Sequence, residues 1–538
     1  MKKIFRYFNH VVLATALLLG CEVSNFDLQE DPNFLSPESA NPDFLLNEMQ
    51  FLFSEIMSDL SIATDDVMRY EALTGSYNDA VNVEVLNGQW DNFYKALRLS
   101  NTVETLAQED PNLLFHNAVN KLIMGYLTIT MVDYVGNIPF TEAARPEEVL
   151  SPAVDSAENL YNMVLSDIDQ AIADINASNF VFSDVFYGGD SDKWIAFANS
   201  FKLRILVQAR LASAELEIGD IANEINTLLA GPLIDTPDEE FLFPFANIND
   251  VRDNRSNYFQ RGYIGGFGQY IGNYFMFQLK DSKSVRDPRI RYYLYRQSND
   301  DPFQDPPVFL LCQDDPTVDF CYVGDGYWGL DQGEGRTGRG DDELRTTYGI
   351  YPGGGKFDED DFVSATNGVS TVNNLLGEGV FPVITSSNLK FLQAEAALTL
   401  GTNGNPAVLL EDAVRTSIST VMSFGGVSSS FVPTAADVDT YVSDVMDNYA
   451  AASSDEERLD VIMKEFYLAS FGNSIESYNA YRRTGFPSDI QIPIDNDNPE
   501  FPRSFPYPND AVITNTSLTQ KLNTLQVFWD TNPAGFIK

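Results

Sequence analysis

The chain has 538 residues, 44% of them hydrophobic, enough to bury a large core and to fill more than one unit of ordinary domain size. Thirty-four basic residues against 78 acidic ones leave a formal net charge of −44. A surface that negative repels phosphate backbones and anionic headgroups, which excludes nucleic acid as a partner and otherwise speaks for solubility in a salty medium.

At the amino terminus Lys2, Lys3 and Arg6 precede a short apolar run from Val11 to Leu19, the layout of an export signal. A membrane-spanning helix needs about 20 apolar residues, and this run is too short. Leu18, Leu19 and Gly20 lead into Cys21 as a lipobox does. Residues 1–20 therefore read as a lipoprotein signal peptide and Cys21 as the lipid-bearing residue; the alternative is a secretory signal with an incidental cysteine. One residue carrying several acyl chains holds a soluble body at a membrane. Residues 21–40, polar and proline-marked, read as a tether.

From 41 to 232 the signals are helical. Leu86, Trp90, Phe93 and Leu97 fall at the spacing of one helix face, and Trp194, Phe197, Phe201 and Ile205 repeat it, with Ser191 or Asp192 placed to cap that helix. Further helices are expected over 112–131 and 153–177. From 233 to 385 the periodicity fades and glycine, proline, tyrosine and aspartate dominate, so this stretch reads as a loop-rich insertion of functional weight. Cys312 and Cys321 lie within it. In an exported protein a close pair reads as a disulfide, stabilising by about 2–3 kcal/mol. Helices resume at 386–400 and run to 482, and the tail, 483–538, is proline-marked loop. No clean repeat period is visible, so a solenoid of helix pairs is possible on period alone but not established by it.

Little in the chain points to chemistry. His10 belongs to the signal, leaving His116 in LLFHNAV, which reads as a helix-surface or core residue. Gly333, Gly335 and Gly338 spell G-x-G-x-x-G, but no strand precedes them and no helix follows, and GGGKF at 353–357 lacks the rest of a phosphate loop. Acidic neighbours such as Asp314/Asp315 and Asp341/Asp342 are expected by chance in so acidic a chain, and no catalytic residue is assigned. The oxygen-rich run DQGEGRTGRGDDE leaves calcium possible as a cofactor, without EF-hand spacing; no metal ligand is assigned. What remains is aromatic: Tyr258, Tyr263, Tyr270, Tyr322, Tyr327 and Trp328 sit in polar, glycine-rich sequence. Aromatic rings in loops suit the C–H faces of sugars; the alternative is that they fill the core beneath the loops.

Several stretches together resemble a known family. MVDYVGNIPFTEA (131–143), DVFYGGDSDKWIAFANSFKLRILVQARL (184–211), RDPRI (286–290), FLQAEAA (391–397), ESYNAYRRTGFP (476–487) and RSFPYPNDAVITN (503–515) match, in order, segments of the SusD/RagB family of nutrient-binding outer-membrane lipoproteins of Bacteroidetes. The resemblance covers essentially the whole mature chain, with 41–538 as a single body. It implies an all-α fold of tetratricopeptide-like helix pairs in a superhelical scaffold, with the loop-rich insertion carrying the ligand face. It also implies a SusC-like TonB-dependent transporter as partner, a lipid anchor in the outer membrane facing the cell surface, and no catalysis. Ligand contacts would come from the loop before Trp90, where Arg69 and Tyr77 lie, and from the insertion. The function expected is capture of oligo- or polysaccharide for import. The alternatives are peptide capture by the same scaffold and, from outside the family, a glycoside hydrolase.

Overall fold

The computed structural model describes residues 41–144, 149–250, 253–264, 269–299, 318–335, 341–366, 369–494 and 500–537. Cys21, the signal peptide, the tether and Cys312 lie outside them. Cys321 is held in a disulfide.

The amino-terminal half is a run of helices, each packed on the next: α1 (Pro42–Asp65), α2 (Asn87–Glu109), α3 (Leu114–Val135), α4 (Ala157–Ala177) and α5 (Ser191–Gln208), followed by the shorter α6 (Ile221–Leu229). Asn41 caps α1 by accepting from the Asp43 amide at 2.9 Å, with Pro42 opening the first turn. Leu46, Met49, Phe53, Ile56, Met57 and Leu60 then face the core at three- and four-residue spacing. The stripes expected on α2 and α5 are buried as anticipated, Leu86, Trp90, Phe93 and Leu97 on one and Trp194, Phe197, Phe201 and Ile205 on the other. The cap of α5 is Asp190, whose carboxylate accepts from the Asp192 and Lys193 amides, not Ser191 or Asp192. Helix α3 is apolar almost all round and buried from Ala118 to Val135 except at Lys121, which reaches Asp167 at 2.6 Å, as a helix enclosed by others must be. His116, at its start, is buried, with Nε2 2.7 Å from the Asp43 carboxylate.

The second helical block consists of α8 (Ser386–Leu400), α9 (Pro406–Ser423), α10 (Ala435–Ala451), α11 (Asp455–Ala469) and α12 (Ser474–Thr484). Gly401 and Gly485 end α8 and α12 in the left-handed region, at φ 68° and 77°, where a side chain would be strained. Helix α12 returns to the first block: the Ser474 amide donates to Ser61 Oγ of α1 at 3.0 Å. Buried charges add to this closure. Arg483 grips Glu395 of α8 with two bonds of 2.8 and 2.7 Å, and Arg210 meets the same carboxylate at 2.9 Å. Asp133 of α3 accepts from Tyr161 Oη, from Asn479 Nδ2 at 2.8 Å and from the indole of Trp529 at 2.8 Å, joining α4, α12 and the carboxy-terminal loops.

Between the blocks, the loop-rich stretch leaves and returns on one ribbon: β1 (Phe241–Pro244) pairs antiparallel with β4 (Val380–Ile384). Inside it, β2 (Leu294–Arg296) pairs antiparallel with β3 (Thr346–Tyr348), and α7 (Asn273–Lys280) stacks Phe275 6.4 Å from Tyr293, the residue before β2. The all-α expectation with helix pairs holds, and among the described residues strands are confined to these short ribbons. No helix among the described residues is long and apolar enough to cross a membrane.

Candidate functional site

The loop from Asp66 to Ala80, joining α1 to α2, is bound edge-on to the central insertion. The Ala72 amide donates to Tyr270 O at 2.8 Å, and the Gly272 and Gly333 amides donate to Tyr70 O and Leu73 O at 3.1 and 2.9 Å. Gly272 is required here: a Cβ at that position would stand 2.3 Å from Arg69 O. The two segments enclose a polar cleft of about 440 Å³, lined by Ile62 of α1, by Asp66, Glu71, Thr74, Gly75 and Asp79 of the loop, and by Arg261 and Gln269 of the insertion.

Its electrostatics centre on Glu71, which accepts from Arg261 Nη2 at 2.7 Å and from the Tyr348 hydroxyl. Arg261 Nη1 has no hydrogen-bond partner among the described residues. Burial lowers the basicity of this guanidinium, but Glu71, Tyr348 and Asp65 outweigh it and hold Arg261 firmly protonated. Burial, with Glu71 beside it, pushes the Asp66 carboxyl up to about 7. Asp65, behind the cleft wall, is pushed up to about 8 by burial and then by Glu71, and accepts from Tyr258 Oη at 3.0 Å. Near neutral pH the site thus holds a fixed cation at Arg261, held 2.7 Å from Glu71, and carboxyls at Asp65 and Asp66 poised to lose their protons. Amide, hydroxyl, guanidinium and carboxyl groups in one cleft match ligands whose own groups both donate and accept, as sugar hydroxyls do.

None of the residues chosen from the sequence lines this cleft. Arg69 is 0% exposed, with a left-handed backbone (φ 65°); it donates to Gln491 O at 2.9 Å, to Val67 O and to Tyr77 Oη at 2.6 Å. Tyr77 is buried with it. Tyr258 and Tyr263 are buried, and Tyr263 donates to Tyr348 O at 2.7 Å with its ring stacked 4.8 Å from Phe259. The guanidinium of Arg345 lies 3.6 Å over the buried ring of Tyr270, that of Arg296 4.9 Å over Tyr327. Trp328 is 3% exposed, its indole donating to Asp341 at 3.1 Å, and half-buried Tyr322 packs 5.9 Å from it. The expectation of stacking platforms is therefore corrected for Tyr258, Tyr263, Tyr270, Tyr327 and Trp328, and that of ligand contacts for Arg69 and Tyr77, all of them buried: in a loop-rich region without helical stripes, aromatics supply the buried area that the backbone cannot. The lining residues Asp66, Glu71, Asp79, Arg261 and Gln269 were not singled out. The one available signal was their charge or polarity inside tyrosine- and glycine-rich sequence.

Asp341 is also saturated by protein donors, accepting from Tyr270, Trp328 and Arg345, and part of the 331–343 run lies outside the described residues. Among the described residues no group of three or more His, Cys, Asp or Glu is arranged to hold a metal ion.

Two family models match the chain. One, described as "Starch-binding associating with outer membrane", covers residues 32–304, just over half of it; the other, "Susd and RagB outer membrane lipoprotein", covers 348–527. No curated protein matches significantly. Among solved structures, a SusD homologue from Bacteroides fragilis aligns with TM-score 0.67 at 17% identity, over 92% of this chain and 100% of that one. A chitin-binding SusD homologue from Flavobacterium johnsoniae aligns with TM-score 0.62 at 19% identity, over 91% and 98%. A SusD homologue from Bacteroides uniformis gives 0.64 at 17%, over 91% and 100%. At these identities the likeness establishes the fold.

Proposed function

Since the chain belongs to the SusD/RagB family of outer-membrane lipoproteins, we propose that it captures glycan at the cell surface in the Asp66–Glu71–Arg261 cleft and passes it, uncleaved, to a TonB-dependent transporter of the SusC type. The observation that carries this reading is the cleft itself: about 440 Å³, lined by paired and unpaired hydrogen-bonding groups, at the junction of the first loop and the insertion. Cys21 would carry the lipid that holds the body at the outer membrane, with the ligand face outward. The starch-binding description of the matching family and the chitin-binding relative supply the first ligands to try. Affinity is expected to be modest, because a polar cleft exchanges bonds to water for bonds to sugar and gains little net free energy.

Isothermal titration of the mature protein with chito- and malto-oligosaccharides, with product analysis of the same mixtures, tests the reading. Heat of binding without shorter products is the expected result. Release of shorter sugars would make the protein a hydrolase, and binding of peptides in place of glycans would make it a peptide importer. Co-purification with a barrel from the outer membrane, lost in Cys21→Ser when that variant is released from the membrane, tests the anchor and the partner.

A further inference from the structure

A second cleft, of about 620 Å³, opens further toward the amino terminus of α1, between that helix, β1 and the 253–260 turn. Phe51 is 40% exposed at its wall, held edge-on 5.9 Å from Phe243, which in turn lies 5.4 Å edge-on to Phe245. Glu55, Asp59 and Asn257 stand beside these rings. Asn257 Nδ2 lies 3.2 Å from Asp59 Oδ1 and 3.2 Å from Ser58 Oγ, so the polar groups are oriented by one another. A ring with free area, flanked by fixed amide and carboxyl groups, is the composition that takes a sugar: its C–H face on the aromatic, its hydroxyls on the polar rim.

The two clefts share a wall. Glu48, Phe51, Glu55 and Asp59 line the second, Ile62 and Asp66 the first, and these six positions follow one another at spacings of three and four along α1 and its capping residue. They form one helix face. The opposite wall is continuous as well, since Gln260 lines the second cleft and its neighbour Arg261 the first. From Phe51 to Asp66 the helix rises about 22 Å at 1.5 Å per residue, farther than a disaccharide can reach.

We propose that the binding tract runs along this face of α1, with the Phe51–Phe245 cleft as an aromatic subsite that engages the distal units of an oligosaccharide whose other end lies in the Asp66–Arg261 cleft. The proposal rests on the glycan reading above and adds to it a preference for chain length. A purely apolar patch would suit a protein partner; here carboxylates at Glu48, Glu55 and Asp59 interrupt the apolar surface every turn, which disfavours close protein packing and favours hydroxylated ligands.

The experiment compares wild type, Phe51→Ala and Phe51→Tyr in calorimetric titrations with chitobiose and chitohexaose and with maltose and maltohexaose. Wild type is expected to bind the hexamer of one series more tightly than its dimer. Phe51→Ala should weaken the hexamer by about tenfold, the loss of one stacking contact, and leave the dimer unchanged. Phe51→Tyr should restore hexamer binding. Equal affinity of wild type for dimer and hexamer, or unchanged hexamer binding in Phe51→Ala, overturns the extended tract while the glycan reading stands. Failure of wild type to bind either series overturns both. Phe51 is an exposed wall residue, so the variant should fold; unchanged far-UV circular dichroism and the tyrosine variant's recovery separate lost stacking from lost structure.

Discussion

Replacing Arg261 by methionine keeps most of the side-chain volume and removes its charge. Arg261 Nη2 lies 2.7 Å from Glu71, whose side chain is 6% exposed against 21% for the arginine. Breaking a buried pair by removing one partner costs about 3–5 kcal/mol. Because the arginine is one-fifth exposed and the Tyr348 hydroxyl stays on Glu71, the lower end applies, about 3 kcal/mol at pH 8. The pH dependence is the sharper test. Asp65 and Asp66 carry folded pKa values of about 8 and about 7 against an ordinary 3.8, raised by burial and by Glu71 and opposed by Arg261. A carboxyl raised on folding binds its proton more tightly in the folded state, so it favours folding below pH 3.8 and that contribution is lost as pH climbs through the folded value. Without Arg261 both carboxyls rise further; each added unit deepens the deficit by about 1.4 kcal/mol at pH well above the folded values and by less at pH 8, which only reaches the folded value of Asp65. Urea unfolding of wild type, Arg261→Met and Arg261→Lys at pH 5 and pH 8 is the assay. The methionine variant should be clearly weaker at pH 8 and closer to wild type at pH 5, with lysine recovering part of the loss. Equal deficits at both pH values, or a deficit under about 0.5 kcal/mol at pH 8, would refute the electrostatic account of the cleft.

Asp133→Ala would orphan the buried donors of Tyr161, Asn479 and Trp529, at about 1–3 kcal/mol for each unsatisfied group. Denaturant titration should show it several kcal/mol less stable than wild type, with Asp133→Asn in between; a near-neutral alanine variant would mean the hub is not what closes the scaffold. Trp328→Ala separates core from ligand platform. Its 3% exposure predicts a stability loss of about 3–5 kcal/mol, read by thermal unfolding, whereas lost glycan binding at unchanged stability would return the ring to the binding face.

Asp133 sits in the MVDYVG stretch and Glu395 and Arg483 in FLQAEAA and YRRTG. Those runs could be recognised in the sequence because the groups they bury must be matched by fixed partners, and that demand leaves ordered stretches of polar and apolar residues. Helix faces were legible for the same kind of reason: burial on one side of a 3.6-residue period writes itself into the spacing of Trp90, Phe93 and Leu97 or Trp194, Phe197 and Phe201. The cap of α5 was misplaced by one or two residues, since Asp190, Ser191 and Asp192 all have oxygens that could cap and only the backbone decides between them.

The cleft left no such trace. Its walls come from residues 66–79 and from Arg261 and Gln269, brought together by backbone pairing of Glu71 with Ile271 and by a glycine that lets two main chains touch. Whether a tyrosine in a glycine-rich loop faces water or fills the space beneath depends on what lies under the loop, and composition is the same in both cases. Local chemistry in the sequence therefore determined the helices and their order, because each depends on short-range periodicity, while the buried polar stretches were legible only as runs that resemble the family. Only the tertiary structure decided that Asp66, Glu71 and Arg261 line the cleft while Arg69 and the buried tyrosines do not, because which side of a loop meets a cavity is set by long-range packing.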